Sequence, residues 1–252
     1  MKSDDWKICA ELGLNHLGNY DNLIDLYSAS GIGKLNCSLT IQIREESFYE
    51  KNPELKLGIS DYENFKKECH KDNKSFGLAL GALENFDWII DSDIKPDFLK
   101  VLSIASEKKD FLKKLKRHFK CPLYISTGLS SKMSIKNKIL PHIDDNDYLI
   151  HTSISHKSED QNLKFISEIK SINQKVCFGL HASNHFLTLA SIGAGAEKVF
   201  VYIGDKTKNL PDNEHSIKME NFEEFYQKII DGFKAVESPR NKSRKQDIKF
   251  LD

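Results

Sequence analysis

The sequence predicts a closed parallel (β/α)8 barrel, a TIM-type barrel in a single domain, and three observations carry that prediction. Short runs rich in β-branched and aromatic residues alternate with amphipathic stretches of about a dozen residues. Eight such runs fit into 252 residues, the length that one barrel needs. A doubly wound open sheet is the alternative, but it needs fewer strands and a glycine-rich first turn, which ELGLNHLG matches poorly.

The first run, KICAELGL (7–14), is apolar and then turns polar through Glu11, Asn15 and His16 ahead of Gly18. LNCSLTIQI (35–43) and SFGLALG (75–81) follow, then DFLKVLS (97–103), which carries a lysine between Leu99 and Val101. PLYISTG (122–128) and YLIHTS (148–153) end in hydroxyls and a histidine; KVCFGLHAS (175–183) and KVFVYIG (198–204) complete the eight. Helical periodicity falls between them in NLIDLYSAS, YENFKKECHK, ENFDWIID, KKDFLKKLKRHF, NLKFISEIKSI and HFLTLASIGAG, and ENFEEFYQKIIDGFKAV closes the barrel. Two long connections are expected, at 44–60 and 205–219. Residues 1–236 are assigned to the barrel and 237–252 to a charged, turn-rich tail.

Thirty-seven basic residues balance thirty-seven acidic ones, so no global field selects nucleic acid or an anionic membrane. The tail's RNKSRK is too short a basic run to change that. MKSDDWKICAELG has acids where a secretory signal has an apolar core, and no run spans a bilayer, so a cytoplasmic protein is expected. Five scattered cysteines show no zinc spacing or disulfide framework, and those in strand-like runs are read as packing.

In such a barrel the carboxyl ends of the strands build the site. Glu11, Asn15 and His16, then Thr40 and Gln42, Lys100 and Ser103, Ser126 and Thr127, His151 and Thr152, and His181 and Ser183 are therefore expected at one mouth. A lysine flanked by apolar residues needs an anionic partner. Hydroxyls and free N–H groups around Ser126, Thr127 and Gly128 suit a phosphate or carboxylate. His151 and His181 are candidate ligand or metal contacts.

At this point the chain resembles the sialic acid synthases, the NeuB and spore coat polysaccharide SpsE group. AELGLNHLGN is similar to A-E-[IL]-G-x-N-H-x-G, YISTGLSS to L-S-T-G-M, LIHTS to L-H-C-T, SEDQNLKFI to F-E-D-V-N-L, and NLPDNEH to L-P-G-P-D-H. The resemblance implies condensation of phosphoenolpyruvate with an N-acyl hexosamine in surface carbohydrate biosynthesis. It also implies a divalent metal, manganese or magnesium, held by two histidines. By position, Lys100, Ser103 and Ser126 match phosphoenolpyruvate contacts, Gln42 and Glu214 match sugar contacts, and His181 matches one metal histidine.

The departures are specific. The second metal histidine falls on Tyr202 and the catalytic carboxylate on Ala105; a phosphate-binding lysine falls on Thr40 and a threonine on Ala79. A glutamate falls on Phe200, a tyrosine on His156, and the residues before His181 are Gly179 and Leu180. The family's C-terminal antifreeze-like domain has no counterpart. Candidate catalytic groups are thus His181, Glu11 and His151, with Lys100, Ser103, Ser126, Thr127, Gln42, Asn15 and Glu214 as ligand contacts; His156 and His185 are further substitutes. Two readings stay open: a divergent carbon–carbon bond-forming transferase, aldolase or lyase, and an inactive barrel that binds a sugar or keto acid. Either could homodimerise or pair with an active paralogue.

Overall fold

The computed structural model describes residues 5–81, 86–92, 94–173 and 175–238. Eight strands run in chain order around a ring: β1 (Ile8–Gly13), β2 (Cys37–Ile43), β3 (Phe76–Leu80), β4 (Phe98–Val101), β5 (Leu123–Ser126), β6 (Tyr148–Thr152), β7 (Val176–Gly179) and β8 (Val199–Gly204). Every neighbouring pair is parallel, and pairing of Ile8–Glu11 with Val199–Tyr202 closes the ring. The (β/α)8 barrel is therefore the fold, and each predicted run contains its strand, shortened by one to five residues.

Helices α1 (Tyr20–Ala29), α2 (Glu46–Tyr49), α3 (Ile59–Lys71), α4 (Phe86–Asp91), α5 (Lys109–His118), α6 (Lys132–Ser134), α7 (Lys164–Lys170), α8 (Leu187–Gly193) and α9 (Phe222–Glu237) surround it. Periodicity misses two helices, the short α2 inside the expected 44–60 connection and the helix after β5. Ser131 caps it by accepting from the Ser134 amide, but α6 passes at once into a π turn (Ile135–Ile139) and a 3-10 turn at Pro141, so no clean 3.6-residue repeat forms. Residues 84 and 85 of the predicted helix ENFDWIID lie outside the described residues. So does the predicted tail from 239 onward, while Glu237 still belongs to α9.

Side chains alternate across each strand, and here the alternation separates two kinds of packing. One parity faces the helices: Ile8, Ala10, Leu12, Leu39, Ile41, Leu99, Val101, Val199 and Val201 join the large core between sheet and helices. The other faces the lumen. Its lower layer, Cys9, Phe98, Tyr124, Ile150, Cys177 and Phe200, closes around Trp6, which plugs the amino-terminal end. Lys198 donates to the Trp6 carbonyl at 2.8 Å and lies 3.9 Å over its indole ring. Gly77 makes room for this plug, since a Cβ there would stand 2.4 Å from the Phe98 ring.

Two residues further along each strand, the same parity becomes polar or small: Glu11, Thr40, Ala79, Lys100, Ser126, Thr152, Gly179 and Tyr202. The lumen is thus a sealed apolar floor beneath a polar upper layer. After β8 the chain loops out and returns as β9 (Ile217–Lys218), pairing parallel with Ile203 and Gly204. That return folds residues 205–216 back toward the mouth. All five cysteines are free, and Cys9, Cys37 and Cys177 are buried in strands as packing.

Candidate functional site

The upper layer opens into a cavity of about 760 Å³ at the carboxyl ends of the strands. Lys100, Ser103 and Ser126 line one side, Gln42 and Arg44 another, and His181, Tyr202, Asp212 and His215 the third. Ile104, Leu129 and Ile154, each more than half exposed, form an apolar lip on the loops after β4, β5 and β6. Of the predicted residues, Lys100, Ser103, Ser126, Gln42, Thr152, His156 and His181 line it, and Glu11 lies directly beneath.

Glu11 and Lys100 form an ion pair across the lumen with side chains 2% and 4% exposed. Thr40 donates to the same carboxylate oxygen, Oε1, at 3.5 Å, while Oε2 has no partner. The Lys100 ammonium also lies 5.5 Å and 5.7 Å from the Phe200 and Tyr202 ring centres. The anion that Lys100 requires is therefore within the chain already. Burial and the nearby Glu11 and Asp212 charges push the Tyr202 phenol well above its ordinary range, so it remains a neutral hydroxyl.

Asp212 enters from the returning loop. Its backbone N–H donates to the Asn15 side-chain oxygen at 3.0 Å, and the Asn15 amide donates to the Ile203 carbonyl at 2.8 Å. Asp212 Oδ2 accepts from the Leu14 N–H at 3.3 Å. Gly13, at φ +51°, permits this approach: a Cβ there would stand 2.3 Å from Oδ2 and 2.7 Å from the Tyr202 ring. Burial, reinforced by Glu11, lifts the Asp212 carboxyl to about 6.

Three imidazoles stack along the far wall. The ring centres of His181 and His215 are 5.1 Å apart, those of His215 and His156 4.9 Å, and Tyr202 meets His215 edge-on at 4.7 Å. Burial, with smaller contributions from Lys100 and the neighbouring imidazoles, lowers His181 and His215 to about 3, so both are neutral near pH 7. Neither ring nitrogen of His215 has a partner. His156 Nδ1 pairs with Glu214 Oε2 at 2.7 Å.

Several predicted contacts do other work, and strand parity explains why. His151 lies between the inward Ile150 and Thr152, so it points out of the barrel: its Nε2 donates to the Gln161 carbonyl at 2.8 Å and its ring packs against Phe165 and Phe178. That corrects its placement at the mouth. Thr127 likewise follows the inward Ser126 and donates to the Ile150 carbonyl at 3.1 Å. Asn15 is the clamp just described, and His16, fully buried, accepts from the Gly18 N–H through Nδ1 at 2.9 Å. Glu214 leans outward over a neighbouring cavity of about 540 Å³ between the loop after β7, the returning loop with β9, and α9, which His185 and Ser183 also line. Arg44, Asp212 and His215 were not singled out as site residues; Asp212 and His215 arrive through the β9 pairing, which leaves no periodic signal in the sequence.

Fold and cavity together define a barrel with a ligand-sized pocket at the carboxyl ends of its strands. The chain matches the NeuB family over residues 33–241 and belongs to it. No curated protein matches it. Among solved structures, it is similar to an N-acetylneuraminic acid synthetase from Leptospira borgpetersenii serovar Hardjo-bovis in complex with citrate, at 18% identity and TM-score 0.83, covering 96% of this chain and 88% of that one. The spore coat polysaccharide biosynthesis protein SpsE of Bacillus subtilis aligns at 16% identity and TM-score 0.77, over 96% and 73%. A putative spore coat polysaccharide biosynthesis protein E from Chromobacterium violaceum aligns at 14% and 0.80, over 95% and 79%. At these identities the likeness establishes the fold.

The divalent metal that the resemblance implies lacks its β8 histidine here, although His215 from the returning loop brings a second neutral imidazole to 5.1 Å from His181. The partner of His181 on β8 is Tyr202, whose ring meets it edge-on at 5.6 Å and whose phenol is held neutral. No group of three or more His, Cys, Asp or Glu side chains among the described residues is disposed to hold an ion. Ala105, at the place of the family carboxylate, is fully buried in the helix-facing core. Among the described residues, no helix is long and apolar enough to cross a membrane.

Proposed function

We propose that this chain is a sialic acid synthase-like protein of carbohydrate biosynthesis that binds a phosphoenolpyruvate-like anion and an amino sugar at the mouth of its barrel. The observation that carries the reading is the convergence of Lys100, Ser103, Ser126 and Gln42 on one cavity of about 760 Å³. Hydroxyls and an ammonium suit carboxylate or phosphate oxygens, and a side-chain amide suits sugar hydroxyls and an N-acyl group. The volume is ample for both guests side by side. Phosphoenolpyruvate should raise the melting temperature of the wild type and not that of Ser126→Ala together with Ser103→Ala. No shift in the wild type, with or without an N-acyl hexosamine, would discard the anion site.

A second reading is favoured by Ala105 and Tyr202: the pocket binds these ligands without joining them. Condensation chemistry needs a group to polarise the acceptor carbonyl and a group to move protons. Incubation with phosphoenolpyruvate and N-acetylmannosamine, with and without manganese or magnesium, separates the two readings. Release of inorganic phosphate with formation of a 2-keto acid supports the transferase; binding without turnover supports the ligand-binding barrel.

A further inference from the structure

The cavity holds a carboxyl that the family resemblance did not assign. Glu11 and Asp212 both flank Tyr202, yet Lys100 touches only Glu11. Asp212 lines the cavity, receives one long backbone hydrogen bond from Leu14, and makes no ion pair among the described residues. Its place is fixed from two sides, by Asn15 holding its backbone and by the bare α-carbon of Gly13 beneath its Oδ2.

The charge balance follows. With both carboxyls ionised, Glu11, Lys100 and Asp212 by themselves sum to one negative charge, while Arg44, paired with Glu45, and Lys108 line the same cavity. An anion entering beside Ser126 adds more negative charge next to the buried Glu11–Lys100 pair, where like charges repel more strongly than in water. Glu11 already has an ammonium partner in Lys100. Asp212 has no such partner, so it is the group from which charge is most easily removed.

The geometry points to Asp212 as the proton carrier of this pocket: when an anion docks beside Lys100, the Asp212 carboxylate takes up one proton from solvent and turns the resulting O–H toward that ligand. The inference rests on the anion-binding reading above. The groups facing Asp212 are Glu11 from β1, Arg44 after β2, Lys100 from β4 and Tyr202 from β8, with His181 and His215 further along the wall. Of these, Lys100 and Arg44 oppose proton uptake and Glu11 favours it. The two histidines could also accept a proton, but burial lowers both to about 3 against about 6 for Asp212, so uptake reaches Asp212 first. A carboxyl that arrives protonated can serve an oxygen of the guest as hydrogen-bond donor and acid, a part that Ala105 cannot play.

The test is calorimetric titration of phosphoenolpyruvate into the full chain near pH 7.5, in buffers of different ionisation enthalpy. The expected result is uptake of about one proton per ligand bound, and affinity falling about tenfold per pH unit above the apo value of Asp212. Asp212→Asn, which keeps an acceptor for Leu14, should bind without proton uptake and with pH-independent affinity. Uptake undiminished in Asp212→Asn overturns the assignment, because another group then carries the proton. The pH slope of the wild type is a second readout that needs no variant: a flat profile with measurable binding overturns this inference and leaves the anion site standing. Absence of binding removes both.

Discussion

Glu11 on β1 and Lys100 on β4 meet across the barrel lumen, each almost wholly withdrawn from water. The strands that carry them are not neighbours, so the pair ties opposite walls of the ring together. It sits immediately above the aromatic floor of Phe98, Tyr124 and Phe200. That side offers only aromatic rings and hydrocarbon, so each charge depends on the other for its compensation.

Removing one partner should therefore be far worse than removing both. Lys100→Met leaves the Glu11 carboxylate buried against Thr40 alone, and the expected loss is about 3–5 kcal/mol. Glu11→Gln combined with Lys100→Met removes the stranded charge and should recover most of that stability. Urea unfolding of the wild type, both single variants and the double variant measures the coupling. A Lys100→Met variant within about 1 kcal/mol of the wild type would show that the pair is solvated rather than buried.

Strand parity yields a second expectation. His151 faces α7 and Ser126 faces the cavity, although one is next to last and the other last in its strand. His151→Leu should lower stability by about 1–2 kcal/mol, the cost of leaving the Gln161 carbonyl unpaired, with phosphoenolpyruvate binding unchanged. Ser126→Ala should do the reverse, weakening the ligand with stability nearly intact. Thermal unfolding and ligand titration of both variants decide it, and a loss of binding in His151→Leu at full stability would reverse the assignment.

The same parity marks how much of the site was legible in the sequence. The ring of eight strands can be read from its repeat, and within each run the step from an apolar residue to a polar one two places later marks the lumen side: Phe98 to Lys100, Tyr124 to Ser126, Phe200 to Tyr202. His151 and Thr127 stand one place out of step, so the pattern itself identifies them as outward. Asn15 was placed at the mouth because it is polar, whereas its amide is used up in joining Ile203 to Asp212. Asp212 and His215 were not legible. They reach the cavity through a two-residue strand pairing and a glycine contact, both long-range relationships that no local pattern encodes.

That glycine contact gives a third prediction. Gly13→Ala meets two obstacles: a left-handed backbone at φ +51°, and a Cβ within 2.3 Å of Asp212 Oδ2. The backbone alone costs about 1 kcal/mol or more, and displacement of the returning loop adds to it. Asp212→Gly in the same chain removes the nearer clash, so the double variant should be more stable than the sum of the two single losses allows. Simple additivity would mean that the loop yields freely and that Gly13 does not position Asp212.

Acid should destabilise the fold through its buried neutral histidines, His16 foremost. His16 is fully buried, its Nδ1 accepts from the Gly18 N–H, its Nε2–H has no partner, and burial lowers it from 6.5 to about 4. The unfolded chain therefore binds a proton that the folded chain refuses throughout that interval. By linkage, stability contributed by neutral His16 is complete above about pH 6.5 and declines as the pH falls toward 4, by about 3 kcal/mol at most. His181 and His215, lowered to about 3, act in the same direction. His16→Asn offers Gly18 an equivalent acceptor and cannot titrate, so its unfolding free energy should fall less steeply with acid than that of the wild type. Denaturant midpoints at half-unit steps from pH 7.5 to 4.5 provide the comparison. Parallel curves for the two proteins would mean that water reaches His16 in the folded state and that its burial in the first βα turn is not what the acid attacks.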